Sequence, residues 1–221
     1  MAIEMIDWNK IETVFLDMDG TLLDLHFDNH FWLSHVPQRY AERHGVNAED
    51  AHADLAIRYQ RVIGTMQWYC VDYWTRELSL DIEKLKEEVA HLIAVRPDVL
   101  AFLTFLRSSG KRLTLVTNAH SKSLSLKMKR TELDIYFDAI ICAHDLGMPK
   151  EQSGFWGKLQ AIERFDPALT LLVDDSLPVL RSARDYGIAH LLAIHQPDSR
   201  QPAKNVEEFM AVERFNDIIS C

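Results

Sequence analysis

Apolar and polar residues follow two different patterns along the chain, and the change from one pattern to the other divides the sequence into two parts. Residues 11–17 form a short apolar run, which predicts a buried strand. From residue 26 to residue 94 the apolar positions recur at helical spacing, and no run typical of a strand interrupts them. From residue 95 onward, short apolar runs alternate with helical stretches. This alternation predicts βαβ units and a parallel sheet covered by helices on both faces.

The predicted fold is therefore α/β, a doubly wound Rossmann-like core with a helical segment inserted after its first strand. We expect the core to comprise residues 1–25 plus 95–221. The insert, which we name the helical cap, comprises residues 26–94, with links to the core near 24–28 and 94–97. The later strands are predicted at 112–118, 138–144, 169–175 and 188–194. The core helices are predicted at 97–109, 121–133, 152–165 and 177–186.

Turn and capping residues predict where several helices begin and end. Gly45 is expected to close the first helix of the helical cap, and Pro37 to kink that helix or to start a new one. Asp81 is the expected N-cap of the last helix of the helical cap. The tail NVEEFMAVERFNDII is predicted to form one helix packed on the body.

Polar and charged side chains stand where the predicted strands end. In a parallel sheet the carboxyl ends of the strands meet at one edge, and ligands bind there. The residues at this edge are Asp17, Asp19, Thr117, Asn118, Asp174 and Asp175, with Lys150 following the third strand. We name the four carboxylates Asp17, Asp19, Asp174 and Asp175 the acidic rim.

The acidic rim predicts a divalent cation, because carboxylates this close repel one another and burial strengthens the repulsion. Oxygen ligands without histidine or thiolate favour Mg²⁺, which binds one or two carboxylates together with phosphate and water. Lys150, Thr21, Thr117 and the turn amides around Gly20 offer donors for an anion. Each motif alone has an ordinary alternative, a polar turn or a solvated loop. Their joint order indicates phosphoryl transfer.

Composition and charge exclude several classes of protein. The net charge of −9 argues against binding to a nucleic-acid polymer, and no apolar run predicts a membrane span. The first residues, MAIEMIDWNK, lack the order of a secretory signal. Cys70, Cys142 and Cys221 are far apart, and we expect free thiols in a cytoplasmic protein. Neither the cysteines nor the 10 histidines have a spacing that suggests a zinc site.

Four short motifs, DMDGTLLD, LVTN, PK and VDDS, occur in this order and resemble those of the haloacid dehalogenase-like phosphatases over nearly the whole chain. The resemblance implies that Asp17 is the nucleophile that forms an aspartyl phosphate. It implies that Asp19 is the general acid for the leaving group and then the base for water. Thr117 and Lys150 hold the phosphate by the same resemblance, and Lys150 also orients Asp17.

The resemblance also implies the metal site. Asp175, the Asp17 carboxylate and the backbone carbonyl of Asp19 bind Mg²⁺, and Asp174 supports them. Dehalogenases of this family cleave carbon–halogen bonds and lack the second acid, so Asp19 favours phosphate chemistry. Phosphate binding is further assigned to Met18, Thr21 and Asn118.

The helical cap is rich in aromatic residues, and these are expected to help choose the substrate. They are Trp32, Trp68, Tyr69, Tyr73 and Trp74. Most aromatic residues at helical spacing belong to a core, but some can line a pocket and stack on a base. LDMDGTLLDLHFDNHFW, QWYCVDYW, TNAH and PKE look like the bacterial GMP/IMP 5′-nucleotidase branch of the family. This closer resemblance implies a purine mononucleotide substrate, with Asn29 and His120 as candidate contacts.

Two alternative functions stay open. A sugar phosphatase or phosphosugar mutase would share the core and differ in the helical cap. A phospho-acceptor signalling module also uses an aspartate, an acidic pair, a threonine and a lysine on such a sheet. That module carries its acidic pair at the first strand and has no inserted cap, which argues against it. The chain is expected to act on a small phosphate ester as a monomer or homodimer.

Overall fold

Parallel strands form one central sheet in the computed structural model, which describes residues 6–219. The strands within this range are β1 (Thr13–Leu16), β2 (Arg112–Thr117), β3 (Ala139–Cys142), β4 (Thr170–Asp174), β5 (His190–Ile194) and β6 (Ala211–Val212). Their order is β3-β2-β1-β4-β5-β6, and every neighbouring pair is parallel. The predicted doubly wound fold is confirmed, and β1 lies between β2 and β4, where the order of strands reverses.

Alternate residues of the strands supply two separate hydrophobic cores. Val14 and Leu16 of β1 face one cluster, and Phe15 faces the other. The same alternation continues in β4, where Leu171 and Val173 join the first cluster and Leu172 joins the second. Because both faces are buried, the strands read as continuous apolar runs, as expected for a parallel sheet.

The helices of the helical cap pack on the first hydrophobic core. They are α1 (His26–His30), α2 (Val36–His44), α3 (Ala48–Val62), α4 (Met66–Tyr69), α5 (Val71–Leu78) and α6 (Ile82–Glu88), followed by a 3₁₀ turn at Ala90–Leu92. The N-cap predicted at Asp81 is confirmed, because its side chain accepts a hydrogen bond from the Lys84 N–H. Gly45 has φ of 66° and ends α2 as expected.

Pro37 lies in the first turn of α2, as predicted for a proline that starts a new helix, and the turn before it is wide. Residues Phe31–His35 form a π-helical segment that joins α1 to α2 without a break, and the Val36 N–H donates to the Phe31 carbonyl. Proline has no N–H and clashes with the carbonyl four residues earlier in a regular α-helix. The wider π turn relieves that clash, so the chain continues as a helix.

The remaining helices cover the two faces of the sheet. They are α7 (Val99–Ser108), α8 (Ser121–Thr131), α9 (Ala143–Leu146), α10 (Phe155–Ile162), α11 (Leu177–Tyr186) and α12 (Asn216–Ile219). Helix α10 is shorter than the predicted 152–165, since Gly154 before it has φ of 99° and cannot continue a helix. Over residues 6–219, no helix is both long enough and apolar enough to cross a bilayer.

Two chain segments join the helical cap to the core, and they pair with each other. The Asp24 N–H donates to the Ala94 carbonyl at 2.9 Å, and the Arg96 N–H donates to the Leu22 carbonyl at 2.9 Å. These crossings lie near the predicted links. The division into residues 1–25 plus 95–221 and residues 26–94 stays a prediction.

The tail is not one helix, and that prediction was wrong. Residues 211–212 form β6 beside β5, and only Asn216–Ile219 is helical. The free edge of β5 has backbone groups that need partners, and the Ala193 N–H donates to the Met210 carbonyl. Apolar spacing in a short segment fits a strand or a helix, so the pattern alone could not decide. Cys70 and Cys142 carry free thiols, whereas Cys221 and residues 1–5 lie outside the described range.

Candidate active site

The carboxyl ends of β1, β2 and β4 meet beneath the helical cap and enclose a cavity of about 340 Å³. Its floor contains the acidic rim together with Thr117, Asn118 and Lys150. The edge of the sheet thus brings together the groups that the sequence placed at the strand ends, as the adjacency of these three strands requires.

Lys150 is the cation at the centre of this floor. Its Nζ donates to Asp17 Oδ1 at 2.6 Å, to Asp174 Oδ2 at 2.7 Å and to the Val116 carbonyl at 2.9 Å. Lys150 is 1% exposed, and the two carboxylates raise the pKa of its ammonium above the ordinary value despite burial. Lys150 therefore stays charged and fixes Asp17 against Asp174.

Three carboxylates of the acidic rim form a group that fits a hard divalent cation. One oxygen each from Asp17, Asp174 and Asp175 lies within 4.8 Å of the others. Burial, and then the charge of Asp17, raise the pKa of Asp175 to about 6, and burial also raises the pKa of Asp17 to about 6. Clustered carboxyl groups resist losing their protons when no metal is near, and a bound Mg²⁺ would stabilise them as carboxylates. They are therefore a suitable ligand set for Mg²⁺.

Asp19 belongs to a different group of charges, which we name the buried ion-pair chain: Asp19, Lys127, Asp28 and Lys86. Lys127 Nζ donates to Asp19 Oδ1 at 2.6 Å and to Asp28 Oδ2 at 2.6 Å, and Lys86 Nζ donates to Asp28 Oδ1 at 3.0 Å. Burial raises the pKa of Asp19 to about 6, although Lys127 opposes the shift. The chain connects α8 of the core to α1 and α6 of the helical cap.

The two lysines of the buried ion-pair chain also lie against aromatic rings. Lys86 Nζ is 4.4 Å from the centre of the Phe31 ring, and Lys127 Nζ is 5.2 Å from that of Phe27. Together the lysines outweigh burial and lower the pKa of Asp28 to about 2. Asp28 is thus a fixed anion that holds both ammonium groups beside the cavity.

Thr117 and Asn118 secure the loop that follows β2. Thr117 Oγ1 accepts a hydrogen bond from the Ala119 N–H at 3.0 Å, so its own O–H can donate elsewhere. Asn118 accepts from the Lys150 N–H through Oδ1 and donates to Glu151 Oε2 through Nδ2, both at 2.9 Å. Glu151 also accepts from the Tyr69 hydroxyl of the helical cap at 2.9 Å. Both polar ends of Asn118 thus serve to join two loops.

Met18 and Thr21 contribute mainly from within the fold. The Met18 side chain is fully buried in the first hydrophobic core, while its backbone N–H opposes the rise in the pKa of the Asp17 carboxyl that burial causes. Thr21 Oγ1 is buried and has no hydrogen-bond partner among residues 6–219. A buried hydroxyl of this kind needs a partner, which an anion could supply.

The roof of the cavity is aromatic. Trp32, Tyr59, Trp68 and Tyr69 line it, and Asn29 and His120 stand at its side. Asn29 Nδ2 donates to Asp198 Oδ2 at 2.7 Å, and His120 Nδ1 accepts from the Lys122 N–H at 3.3 Å. Of the other aromatic residues of the helical cap, Trp74 is fully buried and packs edge-on against Tyr59, and Tyr73 does not line the cavity.

Comparison with known proteins places this fold and site in a family. A family model for haloacid dehalogenase-like hydrolases matches residues 11–187. The chain is 36% identical over 214 residues to the GMP/IMP nucleotidase YrfG of Escherichia coli (strain K12), and the match covers 97% of this chain and 96% of the relative. The chain belongs to the haloacid dehalogenase-like hydrolases. The predicted family and the prediction of an enzyme are thereby confirmed.

More distant members of the family support the fold. A phosphatase from Thermotoga maritima, named for phosphorylated carbohydrates, is 24% identical over 83% of this chain and 85% of its own. The crystal structure of a phosphatase of the family from Thermococcus onnurineus superposes with a TM-score of 0.75 at 22% identity, and covers 94% of this chain and 95% of that one.

Several residues of the site were not found by sequence reasoning. They are Asp28, Lys86, Lys127 and Glu151. Lys127 lies on the buried face of α8 beside Met128, and a lysine on an apolar face is a usable warning of a buried charge. The others become visible only when the helical cap and the core are placed together, since their partners are distant in the sequence.

Gly20 offers a test of the candidate metal site, because a side chain there would collide with Asp175. A Cβ at position 20 would lie 2.8 Å from Asp175 Cγ, and Gly20 has φ of 85°. We expect Gly20→Ala to displace Asp175 and to weaken Mg²⁺ binding. Loss of a group that merely supports a metal ligand costs roughly 10–100-fold in affinity, and we expect at least that here. The measurement is the rise in melting temperature over a Mg²⁺ titration.

Gly45→Ala is the matched control for this test. Gly45 also has positive φ, 66°, but a Cβ added there would meet nothing within 4 Å, so the variant carries the backbone strain without the collision. It should retain the wild-type response to Mg²⁺. An unchanged Mg²⁺ response in Gly20→Ala would contradict the assignment of Asp175.

Proposed function

We propose that this hydrolase is a Mg²⁺-dependent phosphomonoesterase that acts through an aspartyl-phosphate intermediate, with a purine 5′-mononucleotide as substrate. The observation that carries the proposal is the floor of the cavity. There Asp17 is held by Lys150 beside Asp174 and Asp175, while Asp19 lies two residues on with a separate lysine partner. Two carboxylates with different partners can perform different steps.

In the first step, an Asp17 oxygen attacks the phosphorus atom and the bond to the ester oxygen breaks. Lys150 holds Asp17 Oδ1, so the carboxylate is oriented before the substrate arrives. The leaving oxygen takes a proton from Asp19. Splitting hydrolysis into two displacements replaces one difficult step by two easier ones.

In the second step, Asp19 removes a proton from water, which attacks the aspartyl phosphate and releases inorganic phosphate. A carboxyl group with a pKa of about 6 can both give and take a proton near neutral pH. Lys127 fixes the position of Asp19 through their 2.6 Å hydrogen bond. We propose Lys127 as a positioning residue rather than one that contacts the phosphoryl group.

The phosphate needs several donors because attack by a carboxylate brings two anions together. Lys150 would supply positive charge beside Asp17, and the Thr117 hydroxyl and the Met18 N–H are the proposed donors. Thr21 Oγ1 lacks another partner within the described part of the chain. Asn118 acts by holding the Lys150 loop. Mg²⁺ bound by Asp17, Asp175 and the Asp19 carbonyl, with Asp174 beside them, would offset charge on the phosphoryl oxygens.

The substrate proposal rests on the aromatic roof and on the likeness to a nucleotidase. Trp32 and Trp68 line the same cavity as the acidic rim, so a planar base could stack there while its phosphate reaches Asp17. Guanine and hypoxanthine share a 6-oxo group, an acceptor that the Asn29 amide or the His120 ring could bind. A sugar phosphate is the alternative, since it would use the same floor without the roof.

Asp17→Asn is expected to abolish turnover and to leave a folded protein. An amide has nearly the shape of the carboxylate but cannot attack phosphorus. Asp19→Asn should retain phosphate binding and lose roughly 10²–10⁴-fold in turnover, the usual contribution of general acid–base catalysis. Phosphate release and thermal melting are measured for each variant.

Asp185→Asn is the control for these two variants, since Asp185 is an exposed aspartate outside the cavity. It should match the wild type in both measurements. Near-normal turnover in Asp17→Asn would show that the nucleophile is another residue.

Inosine and guanosine 5′-monophosphates are expected to exceed glucose 6-phosphate and pyrimidine nucleotides in kcat/KM. Stacking of a base on an aromatic side chain is worth roughly 1–3 kcal/mol, which corresponds to about 5- to 150-fold. Trp32→Ala should therefore reduce kcat/KM for inosine monophosphate by that factor, and it should change kcat/KM for glucose 6-phosphate much less. Trp8→Ala, outside the cavity, serves as the control.

Equal efficiency of wild-type enzyme on glucose 6-phosphate and inosine monophosphate would overturn the nucleotidase proposal. The phosphatase proposal would survive that result, because the floor of the cavity contacts only the phosphoryl group. If none of these esters released phosphate, both the nucleotidase proposal and the phosphatase proposal would be overturned.

A further inference from the structure

A second group of potential metal ligands lies at the junction of the helical cap and the core, and its chemistry differs from that of the acidic rim. Cys70, His120 and His144 each bring one ligand atom to within 4.8 Å of the others. Cys70 belongs to the helical cap and stands between α4 and α5. His120 precedes α8 after β2, and His144 lies in α9 after β3.

The two ring nitrogens of His144 make no hydrogen bond within the described part of the chain. Both nitrogens are buried. Buried polar atoms are nearly always paired, so two unpaired nitrogens on one ring need an explanation. The ring contacts His120 edge-on, with centroids 4.8 Å apart. Burial and then His120 lower the pKa of His144 to about 4, so its nitrogen lone pair is available at neutral pH.

The other two ligands are also accessible to a metal at small cost. Cys70 Sγ accepts a hydrogen bond from the Tyr73 N–H at 3.4 Å, an ordinary length for sulfur, and a metal-bound thiolate keeps lone pairs with which to accept it. His120 Nδ1 accepts from the Lys122 N–H at 3.3 Å. Binding through either nitrogen of His120 would sacrifice this hydrogen bond, because the ring hydrogen would move to Nδ1 if Nε2 bound the metal. Binding through Nε2 would also replace its 3.7 Å contact with the exposed Asp72 carboxylate.

We infer that Cys70, His120 and His144 form a site for a divalent transition metal, with Zn²⁺ as the ion whose preferences fit best. One thiolate and two imidazoles are ligands that Zn²⁺ binds tetrahedrally, and three protein ligands leave a fourth position for water. Mg²⁺ prefers oxygen and is excluded by the same donors. The chain therefore has two candidate metal sites of different selectivity.

Such a site would hold the helical cap against the core. Cys70 comes from the helical cap and both histidines come from the core, so one bound ion would link the two. Beside the proposed ligands, an ion pair between Asp72 and Lys122 at 3.0 Å also links the two parts, but this pair is exposed and worth little. Inhibition of turnover by Zn²⁺ would follow from the linkage. That consequence rests on the proposed function, whereas metal binding does not.

Co²⁺ is the probe for this site, because a cobalt–thiolate bond gives a charge-transfer absorption that oxygen ligands do not. The full chain, freed of metal and kept reduced, is titrated with Co²⁺ in excess Mg²⁺, which occupies the acidic rim. We expect thiolate absorption that saturates at one equivalent and disappears when Zn²⁺ is added. Zn²⁺ should also raise the melting temperature.

Variants decide whether the proposed ligands are the right ones. Cys70→Ser should abolish the thiolate absorption, and His144→Gln should weaken Co²⁺ binding by at least the roughly 10–100-fold typical of losing a supporting group. Cys142→Ser and Cys221→Ser are the matched controls and should bind as the wild type does. Circular dichroism without metal identifies a variant that fails to fold.

Three results would overturn the inference. One is a wild-type chain that shows no thiolate absorption with Co²⁺. Another is a folded Cys70→Ser or His144→Gln variant that binds Co²⁺ as tightly as the wild type. Loss of absorption in Cys142→Ser or Cys221→Ser in place of Cys70→Ser would assign the thiolate elsewhere and would also contradict it.

Discussion

Buried carboxylates at the ends of β1 and β4 are the constraint on which the rest of the site depends. Asp17, Asp174 and Asp175 come within reach of one another because these two strands are neighbours, and such a group is unfavourable without positive charge. Lys150 supplies one cation and bonds to two of the carboxylates. Lys127 supplies another, which Asp19 shares with Asp28. The two lysines thereby give neighbouring aspartates different surroundings, which a two-step displacement requires.

Much of the core could be predicted from the sequence because its signals are local. A strand buried on both faces is a short apolar run, and a charged residue at its end interrupts that run, as Asp17 and Asp174 do. Gly45 and Asp81 fixed helix ends by local geometry in the same way. The prediction of one helix for the tail failed because the spacing of Val212 and Phe215 suits either a helix or the observed strand and turn. Only the open edge of β5, with which β6 pairs, decides between the two.

The junction between the helical cap and the core could not be predicted, since its contacts join distant parts of the chain. Asp28, Lys86 and Lys127 have no shared local pattern, yet they form one buried ion-pair chain with Asp19. Cys70, His120 and His144 likewise lack the close spacing that marks a metal site in sequence. The proposed substrate preference depends on the same junction, because Trp32 and Trp68 of the roof come from the helical cap and the acidic rim comes from the core.

Proton release on Mg²⁺ binding tests the central claim most directly, and calorimetry in buffers of different ionisation enthalpy measures it. Folding raises the pKa of Asp17 and Asp175 from 3.8 to about 6. The metal-free rim therefore contributes stability at low pH and loses it as the pH rises through about 6. We expect Mg²⁺ to displace on the order of one proton at pH 6 and almost none at pH 8. Binding at pH 6 without proton release would contradict a buried rim of mutually repelling carboxylates as the metal site.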